Sequence, residues 1–537
     1  MSDAPRRSVP RSVVLAFLGV LWFALGPVVL ALALAALVVP RVRRWLRPTR
    51  GVVLGWLGVV VLLAAAVVVL PDGRLPIPPG AGLLVTPSYV GDAVTPRPID
   101  LDIAQHPVLA PNGSSSMHND AAATDAYSWP GPLGDSPEVD TAWFGIEECA
   151  TLTFDSSGRL VALCGTWSGP RLHVLDPDSM RPLVTRELPG RTGAGDAKPW
   201  ANLCAGAYFY LDAQDRAVVA TTDRRVLVVS TRDANGAPAL VTEASHDLTD
   251  VVPAEDCLIA LMPDWEGRIW FVTQQGRAGF VPPDSGSSPE VIDLDEQIAN
   301  SFAVGEDGGV HVVTVEALYK LDVAAGRPHV IWRAPYDRGS ETKPGQLSRG
   351  SGTTPTLMPG GLVAITDNAE PRMHVQFYDS EDGRLVCEAE VFGAGASATD
   401  NSLVSVGDAV IVENNHGYAS PLSTMLGRAT TGGLARVDVD GQDCSVTWTS
   451  EEIAPTSVAK VSLATGLVYA YTTRRSRWGV SAWYLTALDA RTGATAWSVR
   501  TGIGTLFNNH YAAVTLAPDG SAYIATLAGM VRVRDHG

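Results

Sequence analysis

The sequence predicts an all-β propeller of eight blades, with seven as the alternative count, behind a two-helix transmembrane hairpin. Three observations carry that reading. An apolar strand, a tight turn and a second apolar strand recur through residues 142–533. Successive turns are about 52 residues apart on average. Two uncharged apolar runs are confined to the first 70 positions.

The first run, residues 12–39, contains no charged side chain, and neither does the second, residues 51–70. Each exceeds or meets the ~20 residues that a helix needs to cross ~30 Å of hydrocarbon. A cleaved signal would have a shorter apolar region and a small-residue cleavage site. Buried helices of a soluble domain would show a polar stripe. The connector holds Arg41, Arg43, Arg44, Arg47 and Arg50, so the positive-inside rule puts it in the cytoplasm and both termini outside. Arg6, Arg7 and Arg11 oppose that orientation. All six cysteines lie in the β region, an even number suited to disulfides in an exported domain. Six cysteines allow fifteen pairings; the preferred one has Cys149 with Cys164 stapling one hairpin, and Cys204 with Cys257 and Cys387 with Cys444 joining adjacent blades. The cell membrane, with the propeller on its extracytoplasmic side, is the expected location.

Residues 71–141 read as a Pro-rich tether and an irregular loop, and the propeller is expected over residues 142–537. The chain carries a net charge of −17, although eight of its arginines fall in the first 50 positions. The β region is therefore strongly acidic and repels phosphate backbones, so no nucleic-acid partner is expected.

The repeating units include TLTFDSSGRLVALCG, YFYLDAQDRAVVATT, IALMPDWEGRIWFVTQ and TLAPDGSAYIATL. Each alternates apolar and polar positions around a Gly-, Asp- or Asn-rich turn, which is the hairpin signal. A period near 50 with four strands per unit marks a propeller and not a sandwich. The last unit is short, so a strand from the N-terminal side should close the ring, with Leu83–Val90 the expected segment.

One unit carries a resemblance. Residues 487–497, ALDARTGATAW, match the A-x-D-x-x-T-G-x-x-x-W motif of the quinoprotein alcohol dehydrogenase-like (PQQ-like repeat) propellers. The resemblance implies that Asp489 and Thr492 close a turn, that Gly493 completes it, and that Trp497 locks one blade to the next. Trp448, in a degenerate copy, would dock in the same way. The quinone enzymes of that superfamily resemble one another in a vicinal Cys-Cys pair beside the cofactor. This chain has no Cys-Cys dipeptide, so pyrroloquinoline quinone is not expected.

Polar residues recur where each innermost strand starts: Glu147–Glu148, Asn202, Glu255–Asp256, Asn300, Thr353–Thr354, Asp400–Asn401, Thr456–Ser457 and Asn508–Asn509–His510. In a propeller these positions ring one mouth of the central channel. Carboxylate and carboxamide oxygens arranged in a ring suit a hard cation such as calcium. The pattern is similar to the channel-mouth sites of gluconolactonase and paraoxonase propellers, which have six blades. Glu148, Asp256, Asn401 and Asn509 are the expected ligands, with His510 as a base or water-orienting group. Asn, Asp and Thr are also common wherever strands begin. The loops at Glu413–Asn414–Asn415–His416 and Asp367–Asn368 read as turns. His118–Asn119–Asp120 is placed to fold over one mouth. No G-x-S-x-G, P-loop or H-E-x-x-H occurs.

Two functions from different classes fit. The favoured one is a membrane-anchored extracytoplasmic propeller that binds a protein or small-molecule ligand. The alternative is a calcium-dependent hydrolase or lactonase acting at the channel mouth.

Overall fold

The computed structural model describes residues 4–45, 54–55, 57–62, 65, 70–166, 168–190, 204, 207–283 and 288–536. Eight antiparallel sheets are arranged around one axis, which resolves the blade count at eight. Blades 1–7 follow in chain order over residues 148–187, 209–247, 258–293, 303–335, 356–390, 404–450 and 460–503. Each begins with its innermost strand and ends with its outermost. Blade 8 takes Val514–Leu516, Ala522–Thr526 and Gly529–Arg534 from the C-terminus.

The fourth strand of blade 8 is Glu138–Trp143, which pairs with the last strand from Glu138↔Arg534 to Trp143↔Gly529. The ring is thus closed from the N-terminal side, but about 50 residues later than the expected Leu83–Val90 segment. Tyr89–Gly91 instead adds a fifth strand to the outer edge of blade 7, against Trp497, Ser498 and Val499.

The hairpins are built by a local device. In blades 1–3 an aspartate at the end of the inner strand accepts the amides two and four residues on, and pairs with the arginine at the fourth position. Asp155 holds Ser157 and Arg159, Asp212 holds Gln214 and Arg216, and Asp264 holds Glu266 and Arg268. Each buried carboxylate thereby gains charge-assisted partners that fix the turn. The middle strands then bury residues on both faces against the neighbouring blades, as Trp270, Phe271, Val310 and Val312 do between blades 3 and 4.

Tryptophans tie blade to blade at the periphery. Trp448 of blade 6 donates from Nε1 to the Ala490 carbonyl at 3.1 Å. It lies under Gly493, where an added Cβ would sit 2.4 Å from the ring. Asp489 accepts the amides of Arg491 and Thr492 and shapes that turn. Trp332 repeats the contact on Ser380 and Gly383 of blade 5. Trp497 has its counterpart in the N-terminal segment, at Gly134.

Three disulfides join the expected pairs: Cys149–Cys164 within blade 1, Cys204–Cys257 between blades 2 and 3, and Cys387–Cys444 between the outer strands of blades 5 and 6. The two inter-blade bridges close loops of 53 and 57 residues. In the chain-entropy model a loop of that length stabilises by about 4 kcal/mol. Reduction of all three is therefore expected to lower the urea midpoint, and Cys387→Ser/Cys444→Ser should reproduce about a third of the drop.

The expected span over residues 12–39 is not one helix. Ala4–Leu25 and Pro27–Ala36 are separate helices, broken at Gly26 because Pro27 supplies no amide donor. No helix among the described residues is long and apolar enough to cross a membrane. The break lies on the propeller: Gly26 abuts Val480, Pro27 packs on Gly479, and the Phe23 carbonyl accepts the Gly82 amide at 2.7 Å. The middle of the run, which a continuous span would hold in lipid, therefore touches protein. The second run, residues 51–70, falls largely outside the described residues.

Residues 105–129 do not hang as a tether. They enter the channel from the end where the hairpin turns lie, with Val108 and Ala110 against Ala213 and Leu211. They rise to hydrogen-bond the inner strands of blades 4, 5, 6 and 7 at Val304, Leu357, Ser405 and Val461. They leave along a parallel pairing of Ala126–Tyr127 with blade 7. This plug closes one end of the channel, with His118–Asn119–Asp120 at its tip.

Candidate functional site at the channel mouth

Above the plug, the starts of the inner strands bring polar and aromatic side chains together at the channel mouth. Met117 of the plug packs there with Ala150, Tyr208, Val458 and Ala513. Glu148 lies near Tyr418, Asp400 near Tyr208 and Tyr511, and His510 beside Tyr418. Tyr418 Oη meets Asn508 Oδ1 at 3.2 Å and His510 Nδ1 at 3.0 Å, and its ring stands edge-on to Tyr511. Tyr511 Oη donates to the Gly345 carbonyl at 3.2 Å. Tyr208 lies 5.9 Å from the His118 ring. Glu148, Tyr208, His510 and Tyr511 are only partly buried, so the mouth is not sealed.

Two carboxyls at the mouth are strongly perturbed. Burial pushes Asp400 up to about 8, with one opposing hydrogen bond from the Leu347 amide. Burial alone raises Glu148 well above the usual carboxylate range. Each has an oxygen without a partner among the described residues, Glu148 Oε1 and Asp400 Oδ1. At neutral pH Asp400 therefore favours the protonated form, which can donate a hydrogen bond to a ligand oxygen, and burial shifts Glu148 in the same direction. The phenols of Tyr418 and Tyr511 are likewise raised by burial, next to Glu148 and Asp400 respectively.

Asp400 has a pH signature. Its folded pKa lies above the unfolded value of 3.8, so the folded state binds more protons between pH 4 and 8 and stability falls as pH rises through that window. Asp400→Asn is expected to match the parent near pH 4 and to exceed it at pH 8. Urea midpoints measured across that range check it.

The expected site residues are distributed as follows. Glu148 lies in the cluster at the mouth, near Tyr418. Asp256 is held by Arg277 Nη1 at 3.0 Å and by the amides of Cys257 and Gln275. Asn401 points between blades, donating to Glu413 Oε2 at 3.0 Å and to the Ser457 carbonyl. Asn509 accepts from Thr456 Oγ1 at 3.0 Å and donates to the Ala512 carbonyl at 3.0 Å. His510 lies at the rim beside Tyr418, with a left-handed backbone. Most of the side-chain capacity of Asp256 and Asn509 is thus spent on the scaffold. Among the described residues, the His/Cys/Asp/Glu groups close enough to share an ion are Glu147–Cys164–His173 and Asp367–His374–Glu388. Cys164 is disulfide-bonded, and Glu147 is already paired with Arg171 and His173.

Below the mouth lies a buried ionic cluster. Lys460 Nζ contacts Asp125 Oδ1 and the Met117 carbonyl, and both charged side chains are fully buried. His118 Nδ1 meets Asp125 at 3.2 Å and Ser402 Oγ at 3.1 Å, while its Nε2 faces Thr354 at 3.3 Å. Burial would raise Asp125, but Lys460 and His118 outweigh it and hold the carboxylate below its usual range. This cluster fastens the plug to blades 5, 6 and 7. It is sealed from the mouth by its own burial, which fits a structural role.

No family model matches the chain. An uncharacterized protein of Archaeoglobus fulgidus is 29% identical over 324 residues, spanning 53% of this chain and 62% of that protein. The match therefore covers less than two thirds of the relative. Among solved structures, BamB from Moraxella catarrhalis is similar with a TM-score of 0.38 at 14% identity, over 59% of this chain and 93% of that one. Sqt1 from Chaetomium thermophilum has a TM-score of 0.43 at 12% identity, over 80% and 100%. The Dos1 propeller has a TM-score of 0.46 at 9% identity, over 76% and 96%.

Proposed function

We propose that this is a membrane-associated, extracytoplasmic propeller whose channel mouth binds a ligand or a segment of a partner protein. The observation that carries the reading is the plugged channel. With one end filled by residues 105–129, the other is a mouth where aromatic rings gather around two carboxyls that burial shifts toward the protonated form. Apolar walls with a few convergent polar groups are the usual composition of a binding site. The polar groups favour a ligand that offers hydrogen-bond acceptors. Three disulfides support an oxidising compartment, where such bonds persist. The exposed apolar side chains of the N-terminal helices, such as Val13, Phe17, Val20 and Leu32, support membrane association.

The test is a melting-temperature screen of the full chain in detergent against acceptor-rich small molecules and peptides. A native-state ligand raises stability by mass action. A shift that shrinks in both Glu148→Gln and Tyr418→Phe supports binding at the mouth. A shift unchanged in both variants would remove the site. A shift that requires calcium and is lost in Glu148→Gln would favour an ion-dependent activity instead.

A further inference from the structure

We infer that the mouth side of blades 6 and 7 is a docking face for an anionic lipid bilayer, so that the channel mouth opens at the membrane surface. This deepens the proposed function and rests on its reading of the N-terminal helices as membrane-associated.

Four large apolar side chains project from this face: Leu84 at 77% exposed, Leu426 at 64%, Leu422 at 61% and Trp478 at 48%. They come from segments that touch one another. The Gly427 amide donates to Ser481 Oγ, and the Ser476 amide donates to the Gly427 carbonyl. Pro27 packs on Gly479, and Gly26 and Gly82 both abut Val480. The patch is therefore continuous with the break between the two N-terminal helices, whose own exposed residues include Trp22 at 43%. The described part of the second apolar run does not cover it, since Leu54, Leu57 and Leu62 are themselves exposed.

Charge selects the occupant. The chain is strongly acidic, yet residues 80–91, 414–437 and 453–488, which include this face, contain no Asp or Glu. They supply the exposed Arg428, Arg475 and Arg477. Glu451 and Glu452 line a groove with Arg474 and Arg475, so the net positive charge of the face rests on Arg428 and Arg477. Exposed leucines, an interfacial tryptophan and arginines together are the composition of a surface that inserts shallowly among anionic headgroups. An acidic soluble protein would match the arginines but leave the leucines poorly covered.

The channel mouth shares this face. The turn Pro421–Gly427 that presents Leu422 and Leu426 also contacts the mouth, where Asn508 Nδ2 donates to Thr424 Oγ1 at 3.3 Å. Tyr418 lies just before it in the chain. A ligand binding at the mouth would therefore approach along the membrane plane.

All six native cysteines are in disulfides, so one introduced cysteine can carry a fluorophore. The full chain bearing Leu422→Cys, or Gln442→Cys on a turn at the opposite end of blade 6, is reconstituted into phosphatidylcholine vesicles with or without phosphatidylglycerol. Lipid-borne quenchers should dim the label at 422 several-fold more than that at 442. Arg428→Glu/Arg477→Glu should abolish any gain from phosphatidylglycerol. Equal quenching at both positions in vesicles that carry the protein would overturn the docking face while leaving membrane association and binding at the mouth intact. Failure of the full chain to associate with either vesicle would overturn both the face and the membrane-associated reading.

Discussion

Lys460→Met is expected to cost about 3–5 kcal/mol of unfolding free energy, the range for removing one partner of a buried ion pair. Lys460 and Asp125 are both fully buried, and Lys460 is the cation that offsets the Asp125 charge most strongly. Without it, the carboxylate keeps His118 and Ser402 but remains in the ring interior with its charge poorly compensated. The Met117 carbonyl also loses its donor. The variant should protonate Asp125 at higher pH than the parent, so part of the loss is recovered as pH falls toward 4. Urea unfolding followed by tryptophan fluorescence measures the cost. The double variant Asp125→Leu/Lys460→Met should be more stable than Lys460→Met alone, because no charge is then stranded. A cost below about 1 kcal/mol would mean that water or movement of the plug solvates Asp125.

Trp497→Ala is expected to cost about 3–5 kcal/mol, as large aromatic truncations in a core do. Its side chain is fully buried and packs near Tyr469, with ring centroids 6.3 Å apart. On its other side lies Gly134, at a positive φ and so close that a Cβ would sit 2.5 Å from the indole. Only glycine meets both demands without strain. Asp535, near the C-terminus, accepts the Leu133 and Gly134 amides at 2.6 and 3.0 Å. Tyr89 Oη donates to the Gly134 carbonyl at 2.9 Å. Trp497 is thus the centre of a joint between blade 7, the N-terminal segment and the chain's end. Its loss should speed proteolysis within residues 85–136 before the rest of the ring is cut, and Gly134→Ala should reproduce a smaller version of the effect. Cleavage that starts elsewhere would show that the joint is held without the tryptophan.

The candidate site was legible only in part: Asp256 and Asn509, also expected there, are engaged by the scaffold. Reading strand starts found Glu148 and the Asp400–Asn401 pair, but it chose Asn401 as the inward group. Asn401 turns toward Glu413 and Ser457, and Asp400 carries the raised carboxyl at the mouth. A single step in extended chain reverses the side a residue faces, and the pattern of apolar residues does not resolve that step where the strand has not yet begun. Tyr208 and Tyr511 gave no signal, since a tyrosine near a strand start is equally consistent with a packed core. Lys460 did carry one: it is a lone charge in an inner strand. Its partner lies 335 positions away, and no local pattern could identify it.

The sequence by itself determined the hairpins, the blade period, the fold class and the blade-docking turn at Asp489–Gly493, and it favoured the disulfide pairing that the structure then settled among fifteen. Each of these depends on contacts within a blade or between neighbours, so the residue spacing carries the information. Only the tertiary structure decided which strand closes the ring, that residues 105–129 plug the channel, and that the first apolar run breaks on the face of blade 7. Those outcomes join segments hundreds of residues apart. They depend on which of several similar edges and cavities offers matching hydrogen bonds and charge, and that match exists only once the ring has formed.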